Sequence, residues 1–131
     1  MSQRSATIAR KTRETDIRVI LDLDGSGTSK ISTGLGFLDH MLEALAKHGR
    51  LDLELTCQGD LHIDDHHTVE DCALALGQAL DQALGDRSGI TRFSHAYAPL
   101  DEALARVVID LSGRPWPEVH IGFVREKIGD V

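Results

Sequence analysis

The sequence predicts an α/β (α+β) fold, because amphipathic strands and helices alternate along it and a strand-and-turn segment near its start recurs near its end. The composition allows such a fold to hold a core: 131 residues, 41% hydrophobic and 27% charged, have the size of one ordinary domain and bury roughly two-thirds of their unfolded surface. Aromatic residues make up only 4%, so aliphatic side chains must do most of the packing.

The first element is IRVILDL at 17–23, where Ile17, Val19, Leu21 and Leu23 share one face and a Gly-Ser-Gly turn at 25–27 follows; this reads as a strand entering a hairpin. Residues 37–48 place Phe37, Leu38, Met41, Leu42 and Leu45 at helical spacing, with Gly49 expected as a left-handed cap. Leu51, Leu53, Leu55 and Cys57 then alternate with polar residues, as a half-buried strand requires. From His67 to Leu84 the positions Val69, Cys72, Ala73, Leu76, Leu80 and Ala83 follow the 3.6-residue period, and Gly85 stands just past the end of this longer helix.

ETDIRVILDLDG at 14–25 and EALARVVIDLSG at 102–113 agree at six of twelve positions, at an offset of 88. A duplicated unit accounts for this, although the narrow composition of strands produces part of such a likeness by itself. The expected organisation is a complete first repeat at 1–95 and the start of a second at 96–131. The second counterpart of residues 66–70 falls near position 154, beyond the sequence.

A net charge of -7 with no basic stripe argues against nucleic acid as a partner, while local arginines leave room for a small anionic substrate. No apolar run approaches the roughly 20 residues that span a bilayer, and residues 1–16 are polar without a signal-peptide core. The expectation is a cytoplasmic protein with no membrane partner. Cys57 and Cys72 lack paired spacing, so two buried reduced thiols are expected.

The chemistry concentrates in DLHIDDHHTVED at 60–71. Glu70 follows His66 by four residues and His67 by three, one helical turn away. Neutral imidazoles with a hard carboxylate suit manganese, iron or zinc, and no thiolate lies near enough for a cysteine-rich zinc site. The plainer reading is a solvated acidic helix start, with Asp64, Asp65, Glu70 and Asp71 complementing the helix dipole. His40 near the start of the first helix and His48 in its last turn read by themselves as capping or surface residues; His62 and His95 read as structural or exposed.

RET at 13–15, FLDHMLEALAKHG at 37–49, GDLHIDDHHTVED at 59–71, GITRF at 89–93, APLDEAL at 98–104 and DLSGRP at 110–115 occur in order over residues 10–116. Together these segments resemble the imidazoleglycerol-phosphate dehydratases. The resemblance implies a fold of duplicated half-domains, each a four-stranded sheet with two helices on one face, of the ribosomal protein S5 domain 2-like kind, with the second copy truncated here. It implies His40, His66, His67 and Glu70 as manganese ligands, with two Mn2+ ions per complete site. Glu14 is implied as the carboxylate that moves the substrate proton, so that Glu14, His67 and Glu70 are the catalytic set. Arg92 and Arg114 are implied to grip the phosphate and His48 to line the substrate site, which makes all eight residues substrate-binding. The implied substrate is a small phosphorylated imidazole, D-erythro-imidazoleglycerol phosphate, dehydrated to imidazole acetol phosphate in histidine biosynthesis. The implied assembly is a homo-oligomer of 24 subunits.

Such chemistry is physically coherent. The substrate lacks an acidic carbon–hydrogen bond, so its imidazole must supply electrons to expel hydroxide, and two cations on the ring nitrogens would stabilise the imidazolate. Glu14 would then act as general base at carbon, and an arginine fork would hold the phosphate in register. By themselves Arg92 and Arg114 read equally well as surface ion-pair residues. Complete family members carry a second HHxxE motif and a lysine nearer the C-terminus, and this sequence ends at Val131 before either. The expectation is a fragment unable to complete two metal sites alone. Two alternatives stand beside the dehydratase: Asp65-His66-His67 spells the motif of DHH manganese phosphoesterases, though no early aspartate-rich strand end accompanies it; and a catalytically incomplete metal-binding or assembly module predicts manganese binding without turnover.

Overall fold

Residues 4–124, 127–129 and 131 are described by a computed structural model. The elements are β1 (Ser5–Lys11), β2 (Thr15–Asp22), β3 (Ser29–Ser32), α1 (Gly36–Gly49), β4 (Asp52–Gly59), α2 (His66–Leu84), β5 (Phe93–Leu100) and β6 (Ala103–Asp110). They divide into two units, residues 1–84 with 122–131, and residues 85–121.

In the first unit the strands form one sheet in the order β1-β2-β4-β3, with β3 and β4 parallel and the other pairs antiparallel. Alternation decides which face is dry: Ile17, Val19, Leu21, Leu53 and Leu55 are at most 1% exposed, whereas Asp16, Arg18, Glu54 and Thr56 on the opposite face lie open. Each such burial stabilises by about 1.5–3 kcal/mol. α2 packs on β1, β2 and β4, and α1 on β3 and β4, so both helices cover the apolar face. The four-stranded sheet with two helices on one face is thus present, in a mixed α/β fold.

Four local expectations are corrected. The turn at 25–27 does not close a hairpin, because β4 lies between β2 and β3. The chain instead wraps the start of β4, where Asp52 Oδ1 accepts the N–H groups of Ser26, Gly27 and Thr28 at 2.8, 3.1 and 2.9 Å. The left-handed residue ending α1 is Arg50 (φ 56°), not Gly49, and its N–H bonds the Ala46 carbonyl; turning there lets Leu51 pack against the core. The buried stripe of α2 is Thr68, Asp71, Cys72, Ala75, Ala79 and Ala83, with Ala73 exposed. Small residues win this face because they let the helix sit close to the sheet. On α1 the buried residue is Ala46, while Met41 and Leu45 are 41% and 47% exposed. Gly85 does take the expected left-handed conformation, with φ 58°.

In the second unit β5 and β6 pair antiparallel from Phe93↔Asp110 to Leu100↔Ala103. The register repeats that of β1 and β2, where Ser5 faces Asp22, with both partners displaced by the 88 residues of the sequence repeat. Every residue of β5 and β6 is exposed. A two-stranded ribbon without an apolar covering is marginal in water, and both strands leave large side chains open, Phe93, Tyr97, Leu104 and Val108 among them.

Candidate functional site

The turn between β1 and β2 is built around Thr12. Its hydroxyl accepts the N–H groups of Glu14 and Thr15 at 3.1 and 3.0 Å, and its own N–H bonds the Thr15 carbonyl at 2.9 Å. Glu14 is therefore held on a short, hydrogen-bonded turn, half-buried. Next to it, the Thr15 hydroxyl donates to Asp71 Oδ2 at 2.5 Å, and Arg10 Nη1 lies 2.6 Å from the same oxygen. Asp71 is only 8% exposed. Burial pushes its carboxyl upward, but the Thr15 hydroxyl and the Arg10 guanidinium outweigh this and hold it below the usual carboxylate range. This buried bridge ties the β1–β2 turn to the first turns of α2.

Glycine brings the other side together. A Cβ on Gly59, the last residue of β4, would lie 2.0 Å from Thr68 Oγ1, so only glycine lets β4 end this close to α2. The loop then folds back, with Ile63 N–H bonding the Asp60 carbonyl at 2.7 Å and Asp64 Oδ1 accepting the His66 N–H at 3.0 Å. Asp64 and Asp65 also border a cleft of about 400 Å³ with Gly34, Leu35, Leu61, Ile63 and Lys127.

At the start of α2, His66 Nε2 stands 3.3 Å from Glu70 Oε2 across one turn, and the His66 and His67 rings meet edge to face with centroids 5.6 Å apart. His67 Nδ1 is 3.0 Å from Asp60 Oδ2. That hydrogen bond raises the His67 pKa; burial opposes it, and the charges of Asp60, Glu14 and Asp64 add to the rise. Glu14 and His67 thus lie within electrostatic reach of one another.

The structure accordingly gathers Glu14, His66, His67 and Glu70 at one end of the first unit. His40 and His48 lie exposed on α1, His40 beside Asp39, whose carboxylate accepts the Thr33 N–H and hydroxyl at 2.9 and 2.6 Å and so anchors the helix start. Among the described residues, no three His, Cys, Asp or Glu side chains stand together as a metal-sized group. The donor types of His66, His67 and Glu70 suit a divalent metal, and this chain brings two of them, His66 and Glu70, into direct contact. In the second unit, Arg92 forks onto Asp110 at 2.7 and 3.1 Å. The Arg92 hydrogen bond lowers the Asp110 pKa most, burial opposes it, and the charges of Arg92 and Arg114 add smaller downward effects. Asp60 and Asp71 were missed as site residues by sequence reasoning; their position beside the double histidine was the available signal.

Fold and site together define a mixed α/β protein with a histidine–carboxylate cluster at a helix start. A family model for imidazoleglycerol-phosphate dehydratase matches residues 33–131. The imidazoleglycerol-phosphate dehydratase of Zymomonas mobilis subsp. mobilis is 60% identical over 129 residues, covering 98% of this chain and 66% of that protein; that of Pseudomonas aeruginosa is 57% identical, again covering 98% and 66%. Among solved structures, the enzyme of Staphylococcus aureus subsp. aureus superposes with a TM-score of 0.83 at 36% identity, covering 96% of this chain and 68% of that one. The structure from Pyrococcus furiosus gives 0.79 at 36%, covering 93% and 64%. The chain belongs to the imidazoleglycerol-phosphate dehydratase family, and it spans just under two-thirds of the length of those two sequence relatives. Asp65-His66-His67 therefore sits in this family's pattern, and the phosphoesterase alternative has no further support. No helix among the described residues is long and apolar enough to cross a membrane.

Proposed function

We propose that this chain supplies part of the active site of a manganese-dependent hydro-lyase that dehydrates D-erythro-imidazoleglycerol phosphate to imidazole acetol phosphate in histidine biosynthesis. The observation that carries the reading is the convergence of Glu14 with His66, His67 and Glu70, from two separate elements, on one end of the first unit. His66, His67 and Glu70, with His40 from α1, would hold manganese, which when bound supplies Lewis acidity to the substrate's imidazole ring. Glu14, held on the Thr12 turn with His67 in electrostatic reach, takes the carbon-bound proton as general base. Arg92 and Arg114 take the phosphate; the dianion competes with Asp110 for a fork already oriented by that carboxylate. His48 borders the substrate. The assembly is a cytoplasmic homo-oligomer, of 24 subunits when complete, in which other chain segments supply the remaining metal ligands.

A second reading rests on the pair of metal donors that this chain does bring together, His66 Nε2 and Glu70 Oε2 at 3.3 Å. On that reading the 131-residue chain binds metal and assembles but does not turn over. The test is turnover of imidazoleglycerol phosphate by protein made from the complete source reading frame, stripped with chelator and assayed before and after manganese is added. Activity that returns with manganese and falls at least about 100-fold in Glu14→Gln and in His67→Ala supports the dehydratase. Manganese binding without turnover gives the lead to the second reading.

A further inference from the structure

We infer that Asp60 is a positioning residue: it holds His67 with the proton on Nδ1 and so turns a bare Nε2 outward. The inference rests on the metal-site reading above only for its purpose; the geometry stands apart from it. Asp60 follows Gly59, whose missing side chain brings the strand end against Thr68 in the first turn of α2, and its own carbonyl is tied by Ile63 N–H. The backbone that carries the carboxylate is therefore fixed from both sides, and the side chain is 17% exposed. Oδ2 lies 3.0 Å from His67 Nδ1. An ionised carboxylate only accepts hydrogen bonds, so the ring nitrogen facing it must donate. In the neutral imidazole this leaves Nε2 as the lone-pair nitrogen, on the opposite side of a ring whose side chain is 41% exposed.

The other oxygen strengthens the case. Asp60 Oδ1 is buried without a hydrogen-bond partner among the described residues, a cost that the rest of the fold must offset to keep this carboxylate in place. An ordinary capping aspartate would aim at free backbone N–H groups, as Asp64 does toward His66. Asp60 instead spends its available contact on one side chain of the double histidine. A carboxylate behind a ligating imidazole fixes its tautomer and ring orientation and raises its basicity. The residue touches neither metal nor substrate; it acts through His67.

The test uses the full 131-residue chain, labelled with nitrogen-15 histidine, free of metal and above the pH at which the ring is charged. Two-bond proton–nitrogen spectra distinguish the tautomers. Wild-type His67 is expected to show a protonated Nδ1 and a bare Nε2; Asp60→Ala shifts the ring toward the other tautomer, and Asp60→Asn, whose amide can donate as well as accept, shifts it part of the way. Manganese titration of protein from the complete reading frame then reads a 10–100-fold weaker affinity in Asp60→Ala. A bare Nδ1 in the wild type, or a tautomer ratio unchanged by Asp60→Ala, overturns the inference. If the alanine variant does not fold, the wild-type and asparagine spectra decide it. If protein from the complete reading frame does not bind manganese, the metal-site reading fails separately, while the tautomer still decides the role of Asp60.

Discussion

Removing the Asp71 carboxylate should be the most damaging single polar change in the first unit. Asp71→Asn keeps the shape and still lets Thr15 donate, but it removes the charge that Arg10 approaches at 2.6 Å. Arg10 has a side chain only 26% exposed, so its guanidinium is left partly desolvated and uncompensated. Breaking a fully buried pair in this way costs 3–5 kcal/mol, and loss of one charged hydrogen bond about 1.5–3 kcal/mol. Because Arg10 reaches some solvent, about 2–3 kcal/mol is expected. Urea unfolding followed by far-ultraviolet circular dichroism measures it; with a slope of about 2 kcal/mol per molar, the midpoint falls by about 1–1.5 M. The pH dependence supplies an independent check. The folded carboxyl titrates below its unfolded value of about 3.9, so its stabilisation is fully present above that pH and is lost as pH falls through the folded value. The gap between wild type and Asp71→Asn should therefore be constant from about pH 5 upward and close in stronger acid. A loss under about 0.5 kcal/mol at neutral pH with an unchanged slope, or a gap that persists in acid, would refute the bridge.

Two further predictions follow from backbone and burial. Arg50→Gly should stabilise the chain by about 1 kcal/mol, because the left-handed conformation at φ 56° strains any residue with a Cβ; a midpoint that falls instead means the arginine side chain carries a contact of its own. Cys57 and Cys72 are 8% and 2% exposed and burial raises both thiols above their usual range, so a disulfide reagent at pH 8 should label neither until the chain is unfolded in denaturant. Rapid labelling of the native protein would show that α2 opens from β4.

Much of this protein is written in short-range pattern. The alternation at 17–23 and 51–57 marks the two central strands, the helical spacing at 37–48 and 67–84 marks both helices, and the order of the motif segments marks the family. The edge strands β1 and β3 escaped because each is open along one flank, and their sequences, SATIARK and SKIS, bury little. The spacing of His66, His67 and Glu70 is local to one helix and needed no fold to be noticed.

What only the tertiary structure decided are relations across the sheet. The insertion of β4 between β2 and β3 overrides the hairpin that the Gly-Ser-Gly turn suggested, since a turn specifies a change of direction and not the neighbouring strand. The buried stripe of α2 was set by how closely a helix of small residues can approach the sheet, which no periodicity records. Asp71 looks like any acidic residue near a helix start until Thr15 and Arg10, 56 and 61 positions earlier, meet it in the packed interior. The sequence by itself determined which residue types stand within one turn or one strand of each other; packing decided which distant polar groups share a buried site, because that depends on strand order and helix approach, and neither is encoded locally.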